Sequence, residues 1–318
     1  MIFFFPNTIN MWKDPNFDVA HAAQSLVGKQ VISIPLESKY PGAVLFKKEK
    51  STLCINQFDI LQGNIGDCWL LSAFASIAHS MPKLLERLFI YSDRELGYSV
   101  VDILGHHICV DHYIPVYWNE GLEVIGPNIT KENEYWPIIL EKSIIKVMAI
   151  KNICPSDIFH INRLKRLRKK IKHSSPDYND VNGGFPRWAF SLLLGIKLDP
   201  ITTVAVPDII SLFQNTSYTN LICACTSTEK NDSHSDDGFV YGHAYSVLKV
   251  DKERELIRLR NPWGKYENTE YDDFTDDGEF WVNVDTFKTR FPILCMAKIL
   301  FKSDENEVKI TRGSFPLY

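Results

Sequence analysis

The chain of 318 residues lacks most of the patterns by which whole function classes are recognised. It has no CxxC pair, and its only close cysteines, Cys223 and Cys225 in LICAC, alternate along an apolar run as strand neighbours do, which argues against a thiolate metal site. It has no glycine-rich phosphate loop and no internal repeat, which removes the usual nucleotide-binding and solenoid readings. Long hydrophobic runs are missing as well. The opening MIFFF stops at Pro6 without a basic leader and reads as neither signal peptide nor membrane span. Asn128, Asn215 and Asn231 head glycosylation-like triplets that mean little without a secretory signal. Nor is there an excess of one charge: a formal net charge of -4 gives no general reason to expect nucleic acid as a partner.

What is present is the composition of a soluble globular protein, 45% hydrophobic and 23% charged, in a chain long enough for a sizeable core or two packed subdomains. The seven cysteines are odd in number and scattered through a chain too large to need staples. They point to a reducing, cytoplasmic home rather than a disulfide framework.

One cysteine has a setting that packing alone would not require. In QGNIGDCWLL, Gln62 to Leu71, Cys68 follows Gly-Asp and opens WLLSAFASIAHSMPKLLERLF, a glycine-free apolar run with proline only at Pro82. The pattern predicts a buried helix over Cys68–Ser80 and a second from Pro82. Asp67 is then the expected N-cap, Gly66 supplies a tight turn, and Cys68 stands in the first helical turn, where unpaired N–H groups and the helix dipole favour a thiolate.

A thiolate nucleophile needs a base and a group that orients it. GFVYGHAYSVLKV (Gly238 to Val250) and ELIRLRNPWG (Glu255 to Gly264) read as two strands separated by a polar turn. If Val250 faces Glu255, His243 faces Pro262, give or take one residue, and so comes beside Asn261. The spacing predicts a His–Asn pair in which the amide fixes the imidazole tautomer, with Trp263 shielding the bond. Gln62, just ahead of the nucleophile, can join the Cys68 backbone N–H as donors to an oxyanion. The remaining cysteines, and His106, His107 and His112 around the apparent strand ICVDHYIPV, lack such partners and read as structural or surface residues.

QGNIGDCWLL, GHAYSV, RNPWG and DGEFW, in that order, resemble the blocks of the calpain cysteine-protease core; NEYWPIILEKSIIKV and the upstream WKDPNF are similar to further blocks of that family. The resemblance implies an α+β, papain-like fold of two subdomains: an N-terminal segment and helical subdomain with the nucleophile (1–160), a basic connector (161–182), and a β-rich subdomain with His and Asn (183–318). It implies an intracellular endopeptidase making limited cuts in protein or peptide substrates through Cys68, His243, Asn261 and Gln62, with Trp263 and Gly184 lining the substrate cleft.

The family's calcium dependence carries over as an implication too. A first site would use Asp59 and Glu134 with carbonyls near Thr52 and Cys54; a second would use Glu267, Asp277 and Glu279, with Asp273 as a further candidate. Glu267 to Glu279 holds seven carboxylates and no basic residue, which is unfavourable if they converge without a cation. Departures from the family pattern are Gln57, where many members have an arginine pairing with the residue matching Glu279; a short segment between Trp263 and Asp277; and a basic stretch in place of a glycine-rich segment before GGFPRW. That stretch, 163–172, reads as an amphipathic solvated connector, with weak membrane-surface contact as its alternative. The polar run TSTEKNDSHSDD before Gly238 stands where the family has a mobile loop. No EF-hand pattern or room for a C-terminal β-sandwich is evident, so the chain reads as a protease core alone or as part of a longer protein. Two rival readings are a calcium-independent protease and a non-catalytic interaction module of the same fold. Acyl transfer to an amine, as in transglutaminases, is disfavoured by an asparagine as third member.

Overall fold

A computed structural model describes residues 11–50, 52–150, 175–214, 219–228, 238–265, 271 and 275–299. The basic stretch 163–172, most of the polar run before Gly238, Cys154, Glu267 and Asp273 lie outside the described residues. Helices and antiparallel sheets are mixed along the chain, the α+β class read from the sequence. The chain divides into two units, described in turn.

The first unit comprises the described residues of Met1–Ile55, Asp59–Asp67 and Pro82–Gly183. It holds two antiparallel sheets of three strands. One has Tyr113–Trp118 between Val31–Pro35 and Leu122–Val124; the other is the meander Phe89–Asp93, Tyr98–Ile103, His106–Asp111. The helix Trp136–Ile150 packs on this meander, burying Trp136, Ile139, Leu140, Ile144, Ile145 and Val147 completely. A helix apolar on nearly every side belongs inside a core, and the two lysines it carries there are paired. Lys142 Nζ bonds the Asp111 carboxylate and carbonyl, both at 2.5 Å, and the Tyr113 carbonyl at 2.7 Å. Lys146 pairs with Asp14, whose backbone N–H bonds Asp111 Oδ2 at 2.8 Å. The WKDPNF segment is thereby fastened to the core through Asp14. His112 is structural, as read: it is buried and bonded through Nε2 to Ser99 Oγ at 2.8 Å.

The second unit comprises Asn56–Phe58, Cys68–Met81 and the described residues of Gly184–Tyr318. The helix Cys68–Ser80 therefore groups with the β-rich part, whereas the sequence reading placed it with the helical part. The reason is its packing: Ser246 Oγ donates to the Ser72 carbonyl at 2.8 Å, and Ile222 N–H to Ser76 Oγ at 3.0 Å, so residues four apart on one helix face lie against the sheet. That sheet has six antiparallel strands in the order Glu279–Asn283, Leu256–Arg260, Ala244–Asp251, Thr219–Cys225, Ile293–Ile299, Ile201–Thr202. A buried cluster built around Tyr245, Phe239, Phe280, Phe287 and Phe291 belongs to the same sheet. The helix Pro186–Leu194 starts with proline at its first position and ends on Gly195 in the left-handed region (φ 65°).

Candidate active site

The pair Ala244–Asp251 and Leu256–Arg260 forms the expected hairpin, in a register different from the one read. Val250 faces Ile257 rather than Glu255, and an irregularity between Val247 and Lys249 shifts the register again. Beyond the last paired residues the two chains still bring His243 to Asn261, with Nε2 2.9 Å from Oδ1. Both residues are buried. Asn261 is held in one orientation: its Oδ1 also accepts from Trp263 N–H at 3.0 Å, and its Nδ2 donates to the Lys265 carbonyl at 2.9 Å. Its own N–H bonds the Gly278 carbonyl at 2.8 Å. An oxygen already accepting a backbone N–H must take the imidazole N–H, so His243 carries its proton on Nε2 and presents Nδ1 unprotonated. Trp263 packs against the His243 ring, centroid to centroid 4.7 Å, as the shielding role requires.

Several supports of this pair had no signal in the sequence reading. Thr226 Oγ1 accepts from His243 N–H at 2.9 Å and donates to the Val240 carbonyl at 2.7 Å, while Thr226 N–H bonds the His243 carbonyl at 3.0 Å. Tyr245 meets the His243 ring edge-on at 5.0 Å. Gly278, in DGEFW, adopts φ 90°, and a Cβ there would stand 2.8 Å from Gly264 Cα and 2.9 Å from the Asn261 carbonyl oxygen. Only glycine lets this segment approach the asparagine.

Cys68 begins the helix of 13 residues and is partly exposed, as a nucleophile must be. The contact between Ser72 and Ser246 sets the first turns of this helix against the strand that follows His243. Trp69, next in the chain, is buried; a Cβ on Gly184 would stand 2.6 Å from its ring, so Gly184 is glycine because the backbone lies flat on that indole.

Gln62 belongs to the first unit, on the loop 59–67. The loop is laid on neighbouring backbone: Asn64 N–H bonds the Ile125 carbonyl at 3.0 Å and Asn128 N–H the Leu61 carbonyl at 2.8 Å. A Cβ on Gly63 would fall 2.0 Å from the Gly126 oxygen. Gly66 is needed for close approach to Asn182, where a Cβ would stand 2.6 Å from Oδ1, and that oxygen accepts the Gly66 N–H at 3.0 Å. Gln62 Nε2 donates one hydrogen to the Ile65 carbonyl at 2.7 Å, which fixes the amide and leaves its second N–H for another acceptor. Asp67 does not act as the expected N-cap: both its oxygens are buried and neither accepts a helix N–H, because the side chain pairs with Glu141 instead.

The carboxylates read as cation ligands differ in their surroundings. Asp59 and Glu134 are buried together; Trp136 Nε1 bonds Asp59 Oδ2 at 3.0 Å, and Lys47 N–H bonds Glu134 Oε1 at 2.7 Å. Burial, and then the charge of Asp59, push the Glu134 pKa up to about 8. Glu134 Oε2 receives no N–H or hydroxyl hydrogen bond. Glu279, by contrast, is already balanced: Arg258 Nη2 lies 2.8 Å from Oε2 and Gln57 Nε2 2.8 Å from Oε1. Gln57 thus still reaches Glu279, by a neutral hydrogen bond instead of an ion pair. Asp277 spends Oδ1 on Glu279 N–H at 2.9 Å and its carbonyl on Arg260 Nη1 at 2.6 Å. Among the described residues no cluster of three or more His, Cys, Asp or Glu is arranged to hold a metal ion.

A family model described as calpain family cysteine protease matches residues 12–154 and 165–298. Among curated relatives, Calpain-9 of Homo sapiens is 24% identical over 321 residues, which is 88% of this chain and 42% of that protein. Calpain-12 of Mus musculus is 27% identical over 292 residues, 77% of this chain and 35% of the relative. Calpain-B of Drosophila melanogaster is 23% identical, covering 88% of this chain and 32% of its own length. The chain thus spans less than half of the relatives it matches. The match covers both the loop and helix around Cys68 and the hairpin carrying His243 and Asn261, and with it the chain belongs to the calpain family of cysteine proteases.

Proposed function

We propose that this chain is an intracellular cysteine endopeptidase that makes limited cuts in protein substrates, with Cys68 as nucleophile. The observation that carries this reading is the buried hydrogen bond between His243 Nε2 and Asn261 Oδ1 at 2.9 Å, because it dictates which nitrogen is left to act as base. His243 Nδ1 takes the Cys68 proton; the thiolate attacks the scissile carbonyl carbon, and the oxygen turns into an oxyanion met by the Cys68 backbone N–H and the remaining N–H of Gln62 Nε2. The imidazolium Nδ1–H then protonates the leaving amine, and a thioester on Cys68 remains. Water, deprotonated by the same nitrogen, attacks the thioester and releases the acid and the free thiol. Asn261 and Trp263 hold the ring through both steps. None of the six described cysteines is in a disulfide, which supports a reducing, cytoplasmic site of action.

Calcium fits one of the two carboxylate sets. Asp59 and Glu134, buried together with a carboxylate oxygen that lacks a donor, are chemistry that a divalent cation satisfies, and the carbonyls near Thr52 and Cys54 would complete its oxygen shell. The ion would supply charge balance that lets both carboxylates ionise at the root of the Gln62 loop. The described members of the second set fit poorly, since Arg258 and Gln57 already occupy Glu279.

Hydrolysis of casein by the purified chain, with calcium and in excess chelator, tests the reading against the Cys68→Ala variant. Cleavage by the unaltered chain in calcium and none by the variant is the expected result. No cleavage by the unaltered chain under either condition would overturn it in favour of a non-catalytic module; full cleavage in chelator would keep the chemistry and remove the cation.

A further inference from the structure

Two carboxyl pairs bracket the Gln62 loop: Asp59 with Glu134 at one end, Asp67 with Glu141 at the other. The second has no part in the chemistry above. Asp67 and Glu141 are each 1% exposed. Their four oxygens are buried, and none accepts a hydrogen bond from another residue's N–H or hydroxyl; the two carboxyl groups meet each other, and Asp67 is met besides only by its own backbone N–H. Glu141 Oε2 is pressed against the Gly126 backbone, where a Cβ would stand 2.7 Å away, so residue 126 itself offers no side-chain donor.

The charged neighbours supply no hydrogen bond, although the Lys142 charge acts on Glu141 in favour of its ionised form. Lys142, next on the Glu141 helix, directs its ammonium hydrogens to the Asp111 carboxylate and to the Asp111 and Tyr113 carbonyls. Asp111 is balanced by that lysine. Tyr178 is buried in the same region, and burial, with the charges of Glu141, Asp111 and Asp67, keeps its phenol protonated. Two buried carboxylates in contact with no donor between them repel, whereas a carboxyl and a carboxylate form a strong hydrogen bond.

We infer that Asp67 and Glu141 share one proton in the working protein, and that this hydrogen bond fixes the end of the Gln62 loop at the residue joined directly to Cys68, making Glu141 a positioning residue for the nucleophile. Its consequence for turnover rests on the protease reading; the shared proton itself does not. Burial in the first place raises both acids, Asp67 to about 7 and Glu141 well above its ordinary value. An acid whose pKa is raised by folding takes up a proton as the chain folds. The pair's contribution is therefore complete below the ordinary values of 3.8 and 4.5 and declines as pH rises through about 7.

The test compares the full chain with Glu141→Gln, Asp67→Asn and Glu141→Leu. Either amide can donate to the remaining carboxylate without titrating. From about pH 5 to about pH 9, the unaltered chain should lose melting temperature more steeply than Glu141→Gln or Asp67→Asn. At neutral pH Glu141→Gln should keep kcat within a few-fold and move the alkaline limb of its profile upward. Glu141→Leu strands a buried Asp67 and should lose kcat about a hundredfold with a much smaller change in KM. Identical pH dependence of melting in the unaltered chain and both amide variants would overturn the shared proton, as would a folded Glu141→Leu with unaltered kcat the positioning role. Melting needs no substrate, so the proton is tested even if the chain hydrolyses nothing, and the amide variants decide the matter if Glu141→Leu does not fold.

Discussion

Gln57 Nε2 donates to Glu279 Oε1 at 2.8 Å, and Arg258 holds the other oxygen of the same carboxylate. Glu279 is thus neutralised by the protein itself, while Asp59 and Glu134 are buried together and Glu134 Oε2 receives no N–H or hydroxyl hydrogen bond. On the proposed calcium-dependent reading, the calcium needed for hydrolysis should therefore rise more in Asp59→Asn or Glu134→Gln than in Asp277→Ala. Calcium titrations of activity check this; an equal or larger rise in Asp277→Ala would show the second set to be the one that matters.

Gln62 is held by Ile65 with one amide hydrogen remaining, which the proposed mechanism assigns to an oxyanion. Losing such a donor typically lowers turnover about 10²–10³-fold. Gln62→Ala should lower kcat by that order with a smaller change in KM, measured at saturating peptide. Unchanged kcat would remove Gln62 from the mechanism.

Gly278 combines φ 90° with a Cβ position 2.8 Å from Gly264 Cα and 2.9 Å from the Asn261 carbonyl oxygen. Gly278→Ala should destabilise the protein by about 2–4 kcal/mol and, by displacing the carbonyl that receives Asn261 N–H, reduce turnover as well. Denaturant unfolding gives the first quantity; a stability equal to that of the unaltered chain would show that the segment can retreat.

His112 gives an acid-sensitive element away from the chemistry. Burial, helped by the Lys142 charge, lowers its pKa from 6.5 to about 4, against the opposing pull of Asp111 and Asp93. The folded state therefore prefers the neutral ring: this contribution is complete above about pH 6.5 and is lost as pH falls towards 4, on the order of 3 kcal/mol in all. His112→Gln, which keeps an amide for Ser99, should flatten the loss of stability over that window. An unchanged acid slope would place the sensitivity elsewhere.

How far the sequence could be read depended on whether the signal was local. The helix Cys68–Ser80 and its successor from Pro82 were legible because an apolar, glycine-free run ended at a proline. The His243–Asn261 pair followed from two alternating strands and one turn, although the register read was wrong, because the irregularity after Val247 has no signature in residue types. Asp67 shows the limit of local rules: its place before a helix suggested a cap, but a buried glutamate far away in sequence claimed the side chain. The roles of Thr226, Gly278 and Glu141 depend on contacts that only the folded chain creates, and the grouping of the Cys68 helix with the sheet depended on Ser72 and Ser76, ordinary small residues whose hydrogen bonds no pattern announces.

The central claim is that Cys68 is the thiol activated by the His243–Asn261 pair. Treating the chain, in calcium, with a peptide epoxide that alkylates reactive thiols and locating the adduct by mass spectrometry tests it most directly. The account predicts a single adduct on Cys68, formed quickly in the unaltered chain and far more slowly in His243→Ala. Modification of Cys54, Cys109 or Cys225 with Cys68 left intact, or labelling at an equal rate in His243→Ala, would contradict it.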